Sequence, residues 1–287
     1  MSSTIKYPYG FVTSKDGTKI GYRQFGKGAG LILVHGGMMA SQNLMKLGEL
    51  LADCFTIYIP DRQGRGLSQA HSNFGLMAES EDLQALVNKT KAENIYGLSA
   101  GAVIVLQTSI IEKSIKRIAL HEPPILTNET KISWIKKYKD AMSKGNYGRA
   151  FISVVKGTDD PSSVFNILPG FITAPLMNIA IKNEAKKNKE NGGKVTLKDL
   201  IKAMPYDIKV VEDSKGIIEK YEGTNTDILL IKGQKSQPYL RTTVDKLSIA
   251  LPKAKCVELI GQGHTVSDND GKPELVANEL RQFFMND

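Results

Sequence analysis

Short runs that are apolar at nearly every position take turns along this chain with stretches in which hydrophobic residues recur every three or four positions. Leu31-Ile32-Leu33-Val34, Thr56-Ile57-Tyr58-Ile59-Pro60 and Asn94-Ile95-Tyr96 are of the first kind. Such runs predict strands buried on both faces. Residues 42–52, 78–92 and 101–113 are of the second kind and predict helices, alternating with strands at 56–60, 95–98 and 117–121. That rhythm predicts an α/β fold in which a mostly parallel central sheet carries helices on both faces. Ahead of it, a strand near 10–13, the turn Lys15-Asp16-Gly17-Thr18 and a strand over 19–25 read as a hairpin, because Asp-Gly between two extended runs is a turn signal.

The rhythm breaks after Glu122-Pro123-Pro124. About ninety residues follow with helical patterns near 131–144, 146–156, 173–190 and 196–204 and no convincing buried strand. Strand character returns at Asp227-Ile228-Leu229-Leu230-Ile231 and over 255–259, with helices near 240–250 and 272–285. The reading is a core of residues 1–124 and 215–287 interrupted by a helical cap insertion over 125–214. A chain of 287 residues, 41% hydrophobic, is long enough for one large core plus such an insertion.

No apolar run approaches the roughly eighteen residues of a membrane span, and the start Met1-Ser2-Ser3-Thr4-Ile5-Lys6 lacks the apolar stretch of a signal peptide. The expectation is a cytoplasmic protein without a membrane partner. A formal charge of +8 raises the question of nucleic acid, but the excess sits in the middle of the chain, with 15 basic and 10 acidic residues over 125–214. There Lys182, Lys186, Lys187 and Lys189 share a predicted helix with Asn and Glu and read as a solvated face. Without interleaved aromatics or a known module, nucleic-acid binding is not expected. Cys54 and Cys256 lack an activating setting and are expected to be small, buried or half-buried residues. His35, His71, His121 and His264 lack ligand spacing, so no metal is expected.

Candidate chemistry centres on Gly97-Leu98-Ser99-Ala100-Gly101, which joins an apolar strand to the helical pattern Val103-Ile104-Val105-Leu106. A serine at the apex of so tight a turn needs small residues two before and two after it, and glycine stands at both. Three further segments fall in register with it: Leu31 to Val34 with His35-Gly36-Gly37, then Asp61-Arg62-Gln63-Gly64-Arg65-Gly66-Leu67-Ser68, then Val257-Glu258-Leu259-Ile260 with Gly261-Gln262-Gly263-His264. On these four motifs the chain resembles the α/β-hydrolase superfamily over roughly residues 10–124 and 215–285.

The resemblance implies Ser99 as nucleophile and His264 as its base, with no cofactor. It implies an oxyanion hole of two backbone N–H groups, those of Ala100 and Gly37, with Met38 the neighbouring possibility. Most relatives carry the triad acid a few residues past a glycine after the seventh strand, but that loop reads Gly233-Gln234-Lys235-Ser236-Gln237-Pro238-Tyr239 and holds no carboxylate. Asp245 is the first acid downstream and falls in a predicted helix. Some members place a glutamate after the sixth strand instead, and Glu122 occupies that place, so the implied triad is Ser99, Glu122 and His264. The stretch from Asp61 to Ser68 departs from the family pattern D-x-R-G-x-G-x-S in carrying Gln63 for the usual arginine, which leaves that arginine's ion pair in question. His121, next to Glu122 on a strand end, is expected to point to the opposite face.

The expected function is hydrolysis of a small ester or related acyl compound through an acyl-enzyme, with a small molecule as partner. Carbon–carbon bond hydrolysis and perhydrolysis remain open with the same triad, as does a ligand-binding or signalling protein on a hydrolase scaffold. Trp134, Tyr138, Phe151, Phe165, Phe171, Met177 and Tyr206 of the cap suit helix packing and pocket lining equally. Neither the substrate nor the oligomeric state is legible in these patterns.

Overall fold

The computed structural model describes residues 7–126, 133–157, 169–191, 194–221 and 226–285. Strands β1 (Tyr9–Thr13) and β2 (Lys19–Gly26) form the antiparallel hairpin, in register with Thr13 opposite Lys19. Its turn is closed by Asp16, whose side chain accepts the Thr18 N–H at 2.8 Å. Strands β3 (Ala29–Val34), β4 (Phe55–Pro60), β5 (Asn94–Leu98), β6 (Arg117–His121), β7 (Asp227–Gly233) and β8 (Lys255–Leu259) complete a sheet in the order β1-β2-β4-β3-β5-β6-β7-β8. From β4 to β8 every neighbouring pair is parallel.

Because successive side chains of a strand point to opposite faces, each apolar run feeds two cores. Ile32, Val34, Ile95, Ile118 and Leu120 pack on one face with Leu83 and Leu86 of α2 (Leu76–Thr90), Val103 and Leu106 of α3 (Ala100–Ile111), and Val244 and Leu247 of α8 (Pro238–Ala250). Leu31, Leu33, Tyr96, Leu98 and Ile231 pack on the other with Leu47 and Leu51 of α1 (Met45–Leu51) and Val276, Leu280 and Phe284 of α9 (Pro273–Met285). The α/β architecture anticipated from the sequence is the one observed. Cys256 departs from expectation: it is exposed, because β8 is an edge strand, whereas Cys54 is half-buried. Among the described residues no helix is long and apolar enough to cross a membrane, and no group of three metal-ligating side chains gathers.

Between β6 and β7 lie helices α4 (Ser133–Ser143), α5 (Tyr147–Gly157), α6 (Gly170–Asn191) and α7 (Leu197–Asp213). They share an apolar cluster of their own that includes Ile135, Tyr138, Val154, Ile181, Ile201, Met204 and Ile208. Helix α7 opens on a capping box in which Thr196 and Asp199 satisfy each other's backbone N–H groups. The sequence pattern ends this helix at 204, before Pro205, yet it runs to Asp213. Proline lacks the N–H that would bond the carbonyl four residues back. That carbonyl, of Ile201, accepts the Tyr138 hydroxyl at 2.8 Å instead, so a neighbouring helix fills the vacancy.

The loop after β4 wraps around the buried carboxylate of Asp61, which accepts the N–H groups of Ser41 at 2.9 Å and Leu67 at 3.0 Å. Gln63, standing for the usual arginine, donates to Asp82 of α2 at 2.8 Å. Asp82 therefore keeps a neutral partner where a cation would balance it. Burial pushes its carboxyl up to about 7; hydrogen bonds from Ser14 and Gln63 oppose this, and the nearby carboxylates of Glu79 and Asp16 add to it.

Two predictions follow from these contacts. Tyr138→Phe strands the Ile201 carbonyl and should lower unfolding free energy by about 1–3 kcal/mol in a denaturant titration. A carboxyl whose native pKa lies above its unfolded value near 3.8 costs stability as pH rises, because the unfolded chain ionises first. The melting temperature of Asp82→Asn relative to the parent should therefore climb between pH 4 and 7 and level off above; a difference that stays flat across that range contradicts the assignment.

Candidate active site

Ser99 sits at the junction of β5 and α3, where the strand order reverses between β3 and β5 and a crevice opens at the carboxyl ends of the strands. Its backbone is left-handed, φ 53° and ψ −123°, a conformation that L residues avoid. A β-carbon at Gly97 would lie 2.6 Å from the Ala102 Cα, and one at Gly101 would lie 2.5 Å from the carbonyl oxygens of Val34 and His35. The two glycines are thus required by backbone crowding, which forces the serine outward at the apex.

Glu122 follows β6 directly and is fully buried. One carboxylate oxygen accepts the Gly233 N–H at 2.6 Å and the other accepts Nδ1–H of His264 at 2.6 Å. Burial pushes this carboxyl up, but the His264 hydrogen bond, the charges of His121 and His264 and the nearby Ser236 hydroxyl together hold it down at about 2. Ser236 thus stands beside the Glu122 carboxylate from the loop position where most relatives carry the acid. Asp245 is elsewhere, on the exposed side of α8, paired with Lys232 at 2.5 Å. Glu122 is left-handed as well, at φ 48°, and this breaks the strand alternation just past His121. As a result His121 and Glu122 both reach the His264 neighbourhood, contrary to the opposite-face expectation: the His121 ring lies edge-on to that of His264 at 6.5 Å.

The His264 turn is anchored from below. Ser267, three residues on, is buried and shares hydrogen bonds with the Tyr96 hydroxyl at 2.6 Å and with His121 Nδ1 at 2.9 Å. Burial lowers the His121 pKa to about 4, with Glu122 opposing and His264 adding, so this imidazole is neutral at pH 7. Two further bonds tie the His264 turn to the loop after β7: the Gly261 N–H donates to the Gln234 side chain at 3.0 Å and the Lys235 N–H to the Gln262 carbonyl at 2.8 Å. Of this trio the sequence pattern marks only His121; Tyr96, a tyrosine within a buried apolar strand, is the one signal for the rest.

The two candidate oxyanion donors, Ala100 and Gly37, line the same cavity as Ser99. Ala100 opens α3, so its N–H has no acceptor within the helix. Gly37 lies in the turn after β3, held by His35, whose Nδ1 contacts the Gly36 carbonyl at 2.9 Å while Nε2 accepts the Arg62 N–H at 3.2 Å. Burial first, then the Arg62 and Arg65 charges, holds the His35 pKa well below its usual value, so His35 is a neutral brace for this turn. Met38, the alternative to Gly37, already donates its N–H to the Asp207 carboxylate at 3.1 Å.

Asp207 reaches this turn from α7 and is part of a buried charge cluster. Arg62 grips Glu79 of α2 through two bonds of 2.6 and 2.9 Å, and Arg62 and Arg65 approach Asp207 Oδ1 at 2.9 and 2.7 Å. Two guanidinium groups against two carboxylates leave the cluster neutral, as burial demands. The sequence signal for Asp207 was an acid on the helix face that carries Met204 and Ile208.

Gly37, Met38, Ser99, Ala100, His264 and Asp207 share the wall of one cavity of about 1090 Å³, whose outer wall includes Trp134, Phe151 and Phe171. Tyr138 is instead packing core, Tyr206 rests on Arg65 and Phe74, and Phe165 lies outside the described residues. No hydrogen bond joins the Ser99 hydroxyl to the His264 imidazole; such contacts commonly tighten as substrate binds.

Residues 31–147 match the family described as α/β hydrolase fold. An α/β hydrolase from Sphaerobacter thermophilus is 24% identical and superposes with a TM-score of 0.76 over 96% of this chain and 100% of its own. A thermophilic esterase from Thermogutta terrifontis is 16% identical, with a TM-score of 0.70 over 96% and 98%. The epoxide hydrolase CorEH is 15% identical, with a TM-score of 0.69 over 97% and 99%. At such identities the likeness speaks for the fold, which hosts several chemistries. Sheet order, the sharp turn at Ser99 and these matches agree that the chain has the α/β-hydrolase fold.

Proposed function

We propose that the protein is a cofactor-free serine hydrolase that cleaves a small ester or related acyl compound through an acyl-enzyme. The observation that carries this reading is the 2.6 Å contact between the buried Glu122 carboxylate and His264 Nδ1, on a cavity wall that also presents Ser99 at its left-handed apex. With Nδ1–H committed to Glu122, Nε2 of His264 is the nitrogen left to accept a proton.

In this mechanism the Ser99 hydroxyl gives its proton to His264 Nε2 as Oγ bonds to the substrate's carbonyl carbon. The oxyanion that forms is met by the Ala100 and Gly37 N–H groups. Collapse breaks the bond to the leaving alkoxide, which takes the proton from His264, and water repeats the sequence to free the acid and regenerate Ser99. Glu122 holds the ring in the required tautomer and balances the imidazolium. Aspartate nucleophiles serve epoxide-opening relatives, and the serine here favours acyl transfer. The partner in this reading is a small molecule; nucleic acid, membrane and metal play no part.

A fluorophosphonate probe should label Ser99 rapidly, label Ser99→Ala not at all, and label His264→Ala slowly, as read by intact-protein mass spectrometry. Absence of labelling in well-folded protein would turn the reading toward a ligand-binding protein on the same scaffold. Glu122→Gln should lower kcat on chromogenic esters by on the order of 10³ to 10⁴-fold, whereas Asp245→Asn should leave it within about twofold, as expected for a surface pair. The reverse ranking would move the acid to Asp245. Because the Glu122 pKa is depressed, its contribution to stability is complete above about pH 4.5 and is lost as pH falls toward 2. Acid unfolding of Glu122→Gln should show a shallower pH dependence across that window.

A further inference from the structure

Asp207 places a carboxylate where the helical pattern of α7 calls for an apolar residue, and it is only 3% exposed. It comes from the helices between β6 and β7, yet its strongest contacts lie in the core, with Arg62, Arg65 and the Met38 amide. Met38 is held at φ 55°, a left-handed conformation that a side-chain-bearing residue keeps only when its surroundings impose it. Two restraints are visible: the Met38 side chain packs against the apolar cluster of α4 to α7, and its N–H is bonded to Asp207. The preceding residue is Gly37, where a β-carbon would lie 3.3 Å from the Asp207 Cγ, so the carboxylate rests directly against this peptide.

We infer that Asp207 is a positioning residue for the oxyanion hole: by accepting the Met38 N–H and resting against Gly37, it pins the Gly37–Met38 peptide in its left-handed turn and so fixes the Gly37 residue whose own N–H, in the adjoining peptide, is the proposed donor. This rests on the acyl-enzyme reading above. A lone carboxylate this close would oppose a developing negative charge, but Arg62 and Arg65 at 2.9 and 2.7 Å cancel it. What Asp207 supplies is therefore geometry. Since it rides on α7, the hole is completed by the same element that roofs the cavity.

Three variants test this with chromogenic esters and the fluorophosphonate probe, each assayed well below its own melting temperature. Asp207→Ala should lower kcat by roughly ten- to a hundredfold, short of the 10² to 10³ seen when a donor itself is deleted, while KM changes by less than about threefold. Phosphonylation of Ser99 should slow by the same factor as kcat. Asp207→Asn, whose amide oxygen can still accept from Met38, should restore most of the rate. If Asp207→Ala does not fold, Asp207→Glu carries the test, because it keeps the charge but displaces the acceptor by one methylene; its melting temperature should fall by a few degrees, and kcat read below that temperature should fall about tenfold. A folded Asp207→Ala or Asp207→Glu with kcat within twofold of the parent overturns the inference. Wild-type protein that fails to label at all would overturn the acyl-enzyme reading instead, so the two failures are distinct.

Discussion

The hydrogen bond between the Glu122 carboxylate and His264 spans 142 positions of sequence and organises the cavity end of the sheet. It requires β6 and the turn after β8 to meet across β7, and the Gly233 amide at the end of β7 bonds the other carboxylate oxygen. Three neighbouring strand ends are thereby tied at one charged group. A buried carboxylate is tolerable only when its oxygens are satisfied, and here both are. The same arrangement explains why the loop after β7 carries Ser236 in place of an acid: with Glu122 occupying that space from the neighbouring strand, a second carboxylate would repel it.

Among the described residues, the side-chain-bearing positions with left-handed backbone are Met38, Lys91, Ser99 and Glu122. Lys91 closes helix α2, an ordinary use of that conformation. The other three surround the cavity end of strands β3, β5 and β6. Each lies one to four residues past the end of a buried parallel strand, where the chain must turn sharply outward. The rigid two-faced core beneath them supplies the restraint that keeps such turns from relaxing. Local strain and global packing are in this way two sides of one arrangement.

Much of this was legible in the sequence because it follows from periodicity and from residue types with a single physical use. Fully apolar runs placed the parallel strands, and the glycines around Ser99 placed the sharp turn. Glu122 could be singled out because the loop from Gly233 to Tyr239 holds no acid. What escaped depends on contacts between segments far apart in the chain. The extension of α7 beyond Pro205 is supported by a hydroxyl on another helix, and no local rule reports that. His121 shares the His264 neighbourhood because a left-handed residue follows it, which residue type does not reveal. The charge cluster drew no attention for a related reason: Arg62 and Arg65 sit in a turn motif, Glu79 and Asp207 on separate helices, and nothing but folding brings them together.

That cluster also sets a condition on how this fold can change over evolutionary time or at the bench. Helical insertions are the part of such scaffolds most readily exchanged, since they leave the sheet untouched. Here the exchange is constrained, because Arg62 and Arg65 stay behind in the core and one of their two counter-charges leaves with α7. A transplanted roof must bring its own anion to that spot, or the host must surrender an arginine at the same time. Chimeras drawn from related chains can be sorted in advance by this single criterion of charge balance across the seam.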